Sequence, residues 1–184
     1  MWWEQVSQIH PHRLVFLDES GVTTNMTRHY GRAPRGERVR EGTPGGHWRT
    51  LTLLGALTIQ GLRAPMTIES PTDGDVFLAY LEQVLCPQLQ PGQVVIMDNL
   101  AAHKVEGVRS LIQACGAQLL YLPPYSPDFN PIEQAWSKIK EILRAAKARW
   151  LDTLEAAITQ ALAAVTTDNA VAWFRHCGYR VHQL

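Results

Sequence analysis

The chain has 184 residues, the size of a single domain, and 46% of them are hydrophobic while 18% are charged. This composition excludes a disordered tail, a collagen-like chain and a coiled coil. The 17 basic residues balance the 17 acidic ones, but segments 28–49 and 138–149 each carry a net charge of +4.

The predicted elements begin with strands and then alternate between helices and strands. The apolar run 13–18 predicts a central strand. Runs 50–58 and 62–69 predict a hairpin, whose second strand Pro65 displaces toward an edge or a bulge. Residues 20–49 have no clear period and predict a long loop. Further strands are predicted at 93–98 and 117–123, and helices from Thr72 to Pro87, from about 102 to Gly116, after Asn130, and at about 153–166 and 169–177.

Targeting signals are not evident in the sequence. No apolar run reaches the roughly 18 residues that a membrane helix needs, and the first residues lack the layout of a secretion signal. We therefore expect a cytoplasmic protein without membrane contact. The three cysteines have wide spacing and no C-x-x-C motif, so neither a disulfide framework nor a zinc ribbon is encoded. Residues 1–12 are predicted to be an N-terminal tail, and residues 13–184 a single domain.

Two aspartates, Asp18 and Asp98, each follow a predicted buried strand. If these strands are parallel neighbours, the two carboxylates lie side by side at the edge where open α/β sheets place their sites. Adjacent carboxylates are stabilised by a cation between them, and oxygen ligands on rigid strands suit Mg²⁺ or Mn²⁺. Each aspartate alone also fits the first residue of a turn.

A third carboxylate lies at the start of the helix predicted after Asn130. Asn130 and Glu133 have the spacing of a capping box, in which the two residues satisfy the first backbone N–H groups. The helix face that contains Glu133 is otherwise mainly basic, which usually indicates solvated surface but also suits an acidic polymer near a metal ion. This face consists of Glu133, Ser137, Lys140, Arg144 and Lys147.

Three segments resemble the catalytic domain of DDE transposases of the mariner superfamily, in particular the bacterial insertion sequence 630 family. They are LVFLDESG, VVIMDNLAAHK and LPPYSPDFNPIEQAWSKIK, with smaller similarities in HYGRAPRG, DVFLAYLEQVL and WFRHCGY. The 34 residues between Asp98 and Glu133 match the spacing typical of that group. The resemblance extends from about Arg13 to Tyr179, nearly the whole chain.

The resemblance implies an α/β, RNase H-like fold, similar to that of retroviral integrases, with a mixed sheet flanked by helices. It implies that Asp18, Asp98 and Glu133 hold two divalent cations, Mg²⁺ or Mn²⁺, for two-metal catalysis of phosphodiester cleavage. The implied activity is hydrolysis at transposon ends and strand transfer into target DNA, generally at a TA dinucleotide, in cut-and-paste transposition. The implied partner is double-stranded DNA in the bacterial nucleoid. A homodimer in a synaptic complex is expected, because two ends are processed together.

Three polar residues are expected to support this site. Asn99 and His103 match a family motif and are expected to steady Asp98 or contact the scissile phosphate, although a helix cap and a surface histidine explain them equally well. Asn130 is expected to aim Glu133. Basic residues of the long loop, and of the helix predicted after Asn130, are expected to neutralise DNA phosphates. They are Arg28, Arg32, Arg35, Arg38, Arg40, Lys138, Lys140, Arg144 and Lys147.

Two features leave alternatives open. Glu19 and Asp128 are additional carboxylates, and Asp128 is the alternative third ligand. Full-length relatives carry an N-terminal helix-turn-helix region, whereas only about a dozen residues precede the first predicted strand here. That region is therefore expected on a separately encoded or frameshift-fused partner, unless the chain is a truncated copy. The rival interpretations are a non-catalytic remnant that binds DNA or partner subunits, and a general RNase H-like nuclease that acts on RNA–DNA hybrids.

Overall fold

The computed structural model describes residues 2–99 and 105–181 of the chain. Within them, five strands form one mixed sheet in the order β3-β2-β1-β4-β5. β2 is antiparallel to both β1 and β3, whereas β4 is parallel to both β1 and β5. The strands are β1 (Leu14–Thr23), β2 (Thr50–Thr58), β3 (Gly61–Ile68), β4 (Val94–Met97) and β5 (Gln118–Tyr121).

Helices cover both faces of this sheet. One face packs against α1, α4, α5 and α6, and the other against α2 and α3. In the part of the chain that the structure describes, every helix is too short or too polar to cross a lipid bilayer. The helices are α1 (Trp2–Val6), α2 (Gly74–Tyr80), α3 (Val108–Ala114), α4 (Ile132–Ala146), α5 (Leu151–Ala163) and α6 (Thr167–His176).

The central strands are apolar on both faces because each face has its own core. Phe16 of β1 packs into the core beneath α4, whereas its neighbour Leu17 packs into the core beneath α2 and α3. Trp136 of α4 is 2% exposed, and it lies against Gly55 of β2, where an added Cβ atom would be 3.2 Å from the Trp136 ring. α4 is thereby held close to the centre of the sheet.

The predicted effect of Pro65 is confirmed. β3 is an edge strand, and its register against β2 shifts around Pro65, where Ala64 takes a left-handed backbone with φ 49°. The buried Tyr80 hydroxyl donates to the Ala64 carbonyl at 2.8 Å, so both buried groups have a hydrogen-bond partner at the bulge.

Several predicted boundaries are wrong by a few residues. α2 is capped by Asp73 and not by Thr72, because the Asp73 carboxylate accepts from the Val76 N–H at 2.9 Å. α2 then loosens into a π-helical turn, Leu81–Leu85, before Pro87. The predicted start of α3 near residue 102 lies outside the described residues, and the described helix begins at Val108. The first residues contain α1, whose Trp2 and Val6 are part of the core.

Candidate active site

The register of the parallel strands aligns the two aspartates. Leu14 pairs with Val94 and Phe16 with Ile96, an offset of 80 residues that also separates Asp18 from Asp98. β4 ends at Met97, so Asp98 is the first residue after that strand.

β1 differs from the prediction because it continues past Asp18 to Thr23. It does so because Ser20 and Val22 remain paired with β2 after β4 has ended, and both are buried. Asp18 therefore lies within its strand, at the point where the parallel neighbour stops.

Strand alternation places Asp18 on the face that α4 covers. Asp18 follows Phe16 by two residues within β1, and Phe16 packs into the core beneath α4. Asp18 is 7% exposed. Glu19 therefore lies on the opposite face, where its Oε2 is buried without a hydrogen-bond partner among the described residues.

A cleft of about 430 Å³ lies between the ends of β4 and β5 and the start of α4. Its lining includes Asp98, Asn99, Asn130 and Glu133, together with the loop 122–127. Glu133 is exposed in the first turn of α4. The structure thus brings Asp98 and Glu133, predicted from distant segments, to one cleft.

The buried Asn130 links Asp18 to this cleft. Its side-chain amide donates to Asp18 Oδ2 in a long hydrogen bond of 3.5 Å, while the Glu19 N–H donates to Asp18 Oδ1 at 2.8 Å. Asn130 is 4% exposed, and its Oδ1 has no hydrogen-bond partner among the described residues. A buried carbonyl oxygen without a donor is costly, so it indicates an oxygen ligand poised beside the carboxylates.

The capping-box interpretation of Asn130 and Glu133 is wrong. α4 begins at Ile132 with Pro131 as its cap residue, and no side chain caps it. The Asn130 side chain is directed at Asp18, and only its backbone carbonyl accepts from the Glu133 N–H, at 3.2 Å. Asn130 therefore orients Asp18 directly, whereas its effect on Glu133 passes through the backbone.

The donor set at this edge fits a hard divalent cation. The carboxylates of Asp18, Asp98 and Glu133 and the side-chain carbonyl of Asn130 all offer oxygen ligands, the type that Mg²⁺ and Mn²⁺ prefer. In residues 2–99 and 105–181, no three His, Cys, Asp or Glu side chains are grouped closely enough to form a complete metal cluster. Carboxylates that lack a cation between them repel one another, so a tight cluster is not expected from protein atoms alone.

The supporting and alternative residues have separate placements. The Asn99 amide donates to the Leu122 carbonyl at 2.5 Å and so ties the end of β4 to the end of β5. His103 lies outside the described residues.

Asp128 is exposed in the turn Pro127–Phe129 and is not among the residues that line the cleft. Burial and, secondarily, the Asp128 charge raise the pKa of the Cys177 thiol, just after α6, to about 11.

The long arginine loop is anchored at its base. The Thr24 N–H donates to the Arg49 carbonyl at 3.1 Å, and the Arg149 guanidinium donates to the carbonyls of Thr24 and Met26 at 3.1 and 2.8 Å. The sequence did not reveal this role of Arg149. Between these anchors, the five arginines predicted to contact phosphates are all exposed: Arg28, Arg32, Arg35, Arg38 and Arg40.

The basic face of α4 meets this loop. A groove of about 410 Å³ is lined by Arg28, His29 and Tyr30 from the loop and by Ser137, Glu141, Arg144 and Ala145 from α4. Lys140 is half-buried on the same helix, and Lys147 pairs with Glu41 of the loop.

Lys138 has a different environment from the other predicted phosphate ligands. Its ammonium donates to the Ala164 carbonyl at 2.7 Å and to the Asn169 side chain at 2.5 Å. These bonds connect α4 to the end of α5 and the start of α6. Lys138 is therefore better explained as a structural residue.

Comparison with known proteins identifies a family for the chain. The sequence profile described as DDE superfamily endonuclease matches residues 13–155. No curated protein sequence matches the chain. Among solved structures, a Mos1 transposase paired-end complex with the left transposon end is similar, with a TM-score of 0.71, 14% identity, 96% of this chain covered and 55% of that chain.

Two further structures have the same fold. The Mos1 mariner paired-end complex with Mn has a TM-score of 0.69 at 16% identity, with 96% of this chain and 55% of that chain covered. The catalytic core domain of BIV integrase has a TM-score of 0.55 at 16% identity, with 92% of this chain and 99% of that chain covered.

These likenesses confirm the predicted RNase H-like fold, and the chain spans about half the length of the Mos1 transposase chains it matches. Because the profile covers most of the chain and includes all three predicted carboxylates, the chain belongs to the DDE superfamily endonuclease family.

Proposed function

We propose that the chain is the catalytic domain of a DNA transposase, which hydrolyses phosphodiester bonds at transposon ends and joins the freed 3′-hydroxyl to target DNA, generally at TA. This proposal rests mainly on one observation: Asp98, Asn130 and Glu133 line the same cleft. Asn130 is also hydrogen-bonded to Asp18, which lies on the strand next to β4. Family membership supports the same chemistry.

Asp18, Asp98 and Glu133 are the proposed ligands of two divalent cations, Mg²⁺ or Mn²⁺. Bound there, such cations would lower the pKa of the attacking water or 3′-hydroxyl and neutralise charge on the departing 3′-oxygen. One of the similar structures is a Mos1 mariner paired-end complex with Mn, which supports the use of a divalent metal.

The rigid sheet supplies the positioning. Asp18 is held within a strand by ladder bonds and by Asn130, and Asp98 follows the neighbouring strand directly. Glu133 is on a helix whose buried face is fixed by Trp136. Groups fixed in this way keep their geometry when charge develops at the phosphate, which is the main protein contribution in phosphoryl transfer.

The proposed DNA path leads from the cleft along α4 to the arginine loop. The groove lined by Arg28 and Arg144 connects the two basic segments, and it begins one helical turn from Glu133, at Ser137. Contacts of this kind give affinity and orientation without sequence readout. The similar Mos1 structures are paired-end complexes, one of them with the left transposon end, which supports DNA as the substrate.

The remaining parts of the proposal concern the assembly. A homodimer is proposed because two ends are processed together. Since the substrate is DNA, the proposed place of action is the bacterial nucleoid.

The proposal is tested by plasmid nicking. The purified protein is incubated with supercoiled plasmid and Mn²⁺, beside Asp98→Asn and the matched control Asp128→Asn, which removes a carboxylate outside the cleft. Wild type and Asp128→Asn should nick, and Asp98→Asn should lose at least 100-fold in rate. Equal background in all three would favour a non-catalytic remnant, whereas preferential cleavage of the RNA strand of a hybrid would favour a general nuclease.

A further inference from the structure

The loop that follows β5 carries an exposed aromatic side chain at the rim of the cleft. Tyr125 lies in the segment Leu122–Pro127, which lines the same cleft as Asp98 and Glu133. Its relative exposure is 103%, the highest among the exposed large hydrophobic residues in the described part of the chain. An aromatic ring that protein atoms do not bury contributes nothing to the core.

The backbone of Tyr125 is also in an unfavourable conformation. Its φ is 55°, in the left-handed region that bulky residues rarely adopt. Such a conformation persists only when the surroundings enforce it, and it occurs often at functional sites.

Contacts on both sides of Tyr125 hold the loop in place. Tyr125 lies between Pro124 and Pro127, and the Ser126 hydroxyl donates to the Pro124 carbonyl at 3.2 Å. At the base of the loop, the Leu122 N–H donates to the Met97 carbonyl at 2.9 Å, and its carbonyl accepts from Asn99. The loop is therefore fixed to the end of β4, one residue before Asp98.

We propose that the Tyr125 ring is a stacking platform for a single nucleobase of the DNA strand in the catalytic cleft, unstacked from the duplex next to the scissile phosphate. This inference rests on the proposed function, since it assigns a base-binding site at the rim of the phosphodiesterase cleft. We assign a nucleobase to the Tyr125 ring because of its position. A DNA strand whose phosphate reaches Asp98 and Glu133 places the neighbouring bases at the rim of the cleft, where Tyr125 lies.

Stacking on an aromatic ring tolerates every base, because each base has a π-face. Removal of such a ring typically weakens single-strand binding by about 5- to 150-fold. The platform would thus hold the strand beside the carboxylates without reading its sequence.

Two variants separate the ring from the backbone. Tyr125→Phe keeps the ring, and Tyr125→Asn removes it while retaining a residue type that readily adopts positive φ. The probe is an oligonucleotide duplex with a single-stranded extension that carries 2-aminopurine next to the junction. Binding is measured by fluorescence in EDTA, so that the readout is independent of cleavage.

Wild type and Tyr125→Phe should quench 2-aminopurine and bind alike, whereas Tyr125→Asn should bind about 5- to 150-fold more weakly. On the same oligonucleotide with an abasic position in place of 2-aminopurine, where binding is measured by the anisotropy of a dye at the far end, all three proteins should bind equally. Equal binding of Tyr125→Asn on the intact probe, or an undiminished loss on the abasic probe, would overturn the inference.

Two further measurements keep the inference distinct from its alternatives. Thermal melting should leave Tyr125→Asn within about 2 °C of wild type, and a larger fall would assign the ring a structural role instead. Metal-dependent plasmid nicking by wild type tests the proposed function separately. If wild type nicks and Tyr125→Asn still quenches 2-aminopurine, the stacking inference alone fails.

Discussion

Asn130→Asp replaces an amide that donates to Asp18 with a second carboxylate in the same buried position. The two side chains are 7% and 4% exposed, so little solvent screens them. The change removes a hydrogen bond to a charged group, worth about 1.5–3 kcal/mol, and adds repulsion of about 4 kcal/mol at ~4 Å and an effective dielectric of ~20. Protonation of one of the two carboxylates would remove the repulsion. At pH 7 it costs about 4 kcal/mol for an ordinary aspartate, so it does not reduce the loss of stability.

Together the two terms predict a loss of about 5–7 kcal/mol in EDTA, which lowers the melting temperature by roughly 10 °C or more for a chain of this size. Differential scanning calorimetry at pH 7 measures it. Mn²⁺ should raise the melting temperature of the variant more than that of wild type, because a cation between two carboxylates removes their repulsion.

The control is the exchanged pair, Asp18→Asn with Asn130→Asp, which restores one amide and one carboxylate. It should recover most of the lost stability while remaining inactive. If Asn130→Asp melts within about 2 °C of wild type, or if the exchanged pair is as unstable as the single variant, the assigned Asn130–Asp18 contact is wrong.

Further predictions test the surface, the core and the thiols. Lys138→Met should lower the melting temperature without changing the salt dependence of DNA binding, whereas Lys140→Ala should reduce the slope of log K against log salt by about 1; the opposite result would reverse their roles. Gly55→Ala should cost about 1–3 kcal/mol in urea unfolding, because its Cβ would be 3.2 Å from the Trp136 ring, and an unchanged midpoint would refute this packing. Burial and the neighbouring Cys115 raise the pKa of Cys86 to about 12, so at pH 8 its alkylation by iodoacetamide should be on the order of a thousandfold slower than in the unfolded chain, rising about tenfold per pH unit toward pH 11. Rapid labelling of the native protein, followed by mass spectrometry, would contradict that burial.

Much of the fold could be predicted from local patterns. The apolar runs of β1 and β4 indicate strands covered on both faces, and parallel pairing then aligns Asp18 with Asp98. Pro65 indicates the irregular edge strand because it cannot donate to a ladder. These features depend on the spacing of apolar residues and on the missing N–H of proline, and both can be read from the sequence.

The rest depends on contacts between distant segments. Asn130 and Glu133 have the local pattern of a capping box, but Asp18, 112 residues away, takes the amide instead. The apolar run of β1 ends at Asp18, although pairing with β2 extends the strand to Thr23. Likewise, the sequence groups Lys138 with the other basic residues of α4, but in the structure its ammonium is hydrogen-bonded to Ala164 and Asn169. In each case tertiary packing decides between local alternatives.

The exposed ring of Tyr125 was missed for a related reason. The signal in the sequence is a tyrosine among closely spaced prolines, which restrict the neighbouring backbone. That signal does not specify the positive φ of Tyr125 or the hydrogen bond that ties the loop to the end of β4.

We propose that Asp18, Asp98 and Glu133 bind divalent cations. Anomalous diffraction from crystals grown with Mn²⁺ and an oligonucleotide duplex measures this most directly. We predict two peaks, about 3.5–4 Å apart, in contact with these three side chains. Peaks located elsewhere, or a cleft without anomalous density at saturating Mn²⁺, would contradict the account.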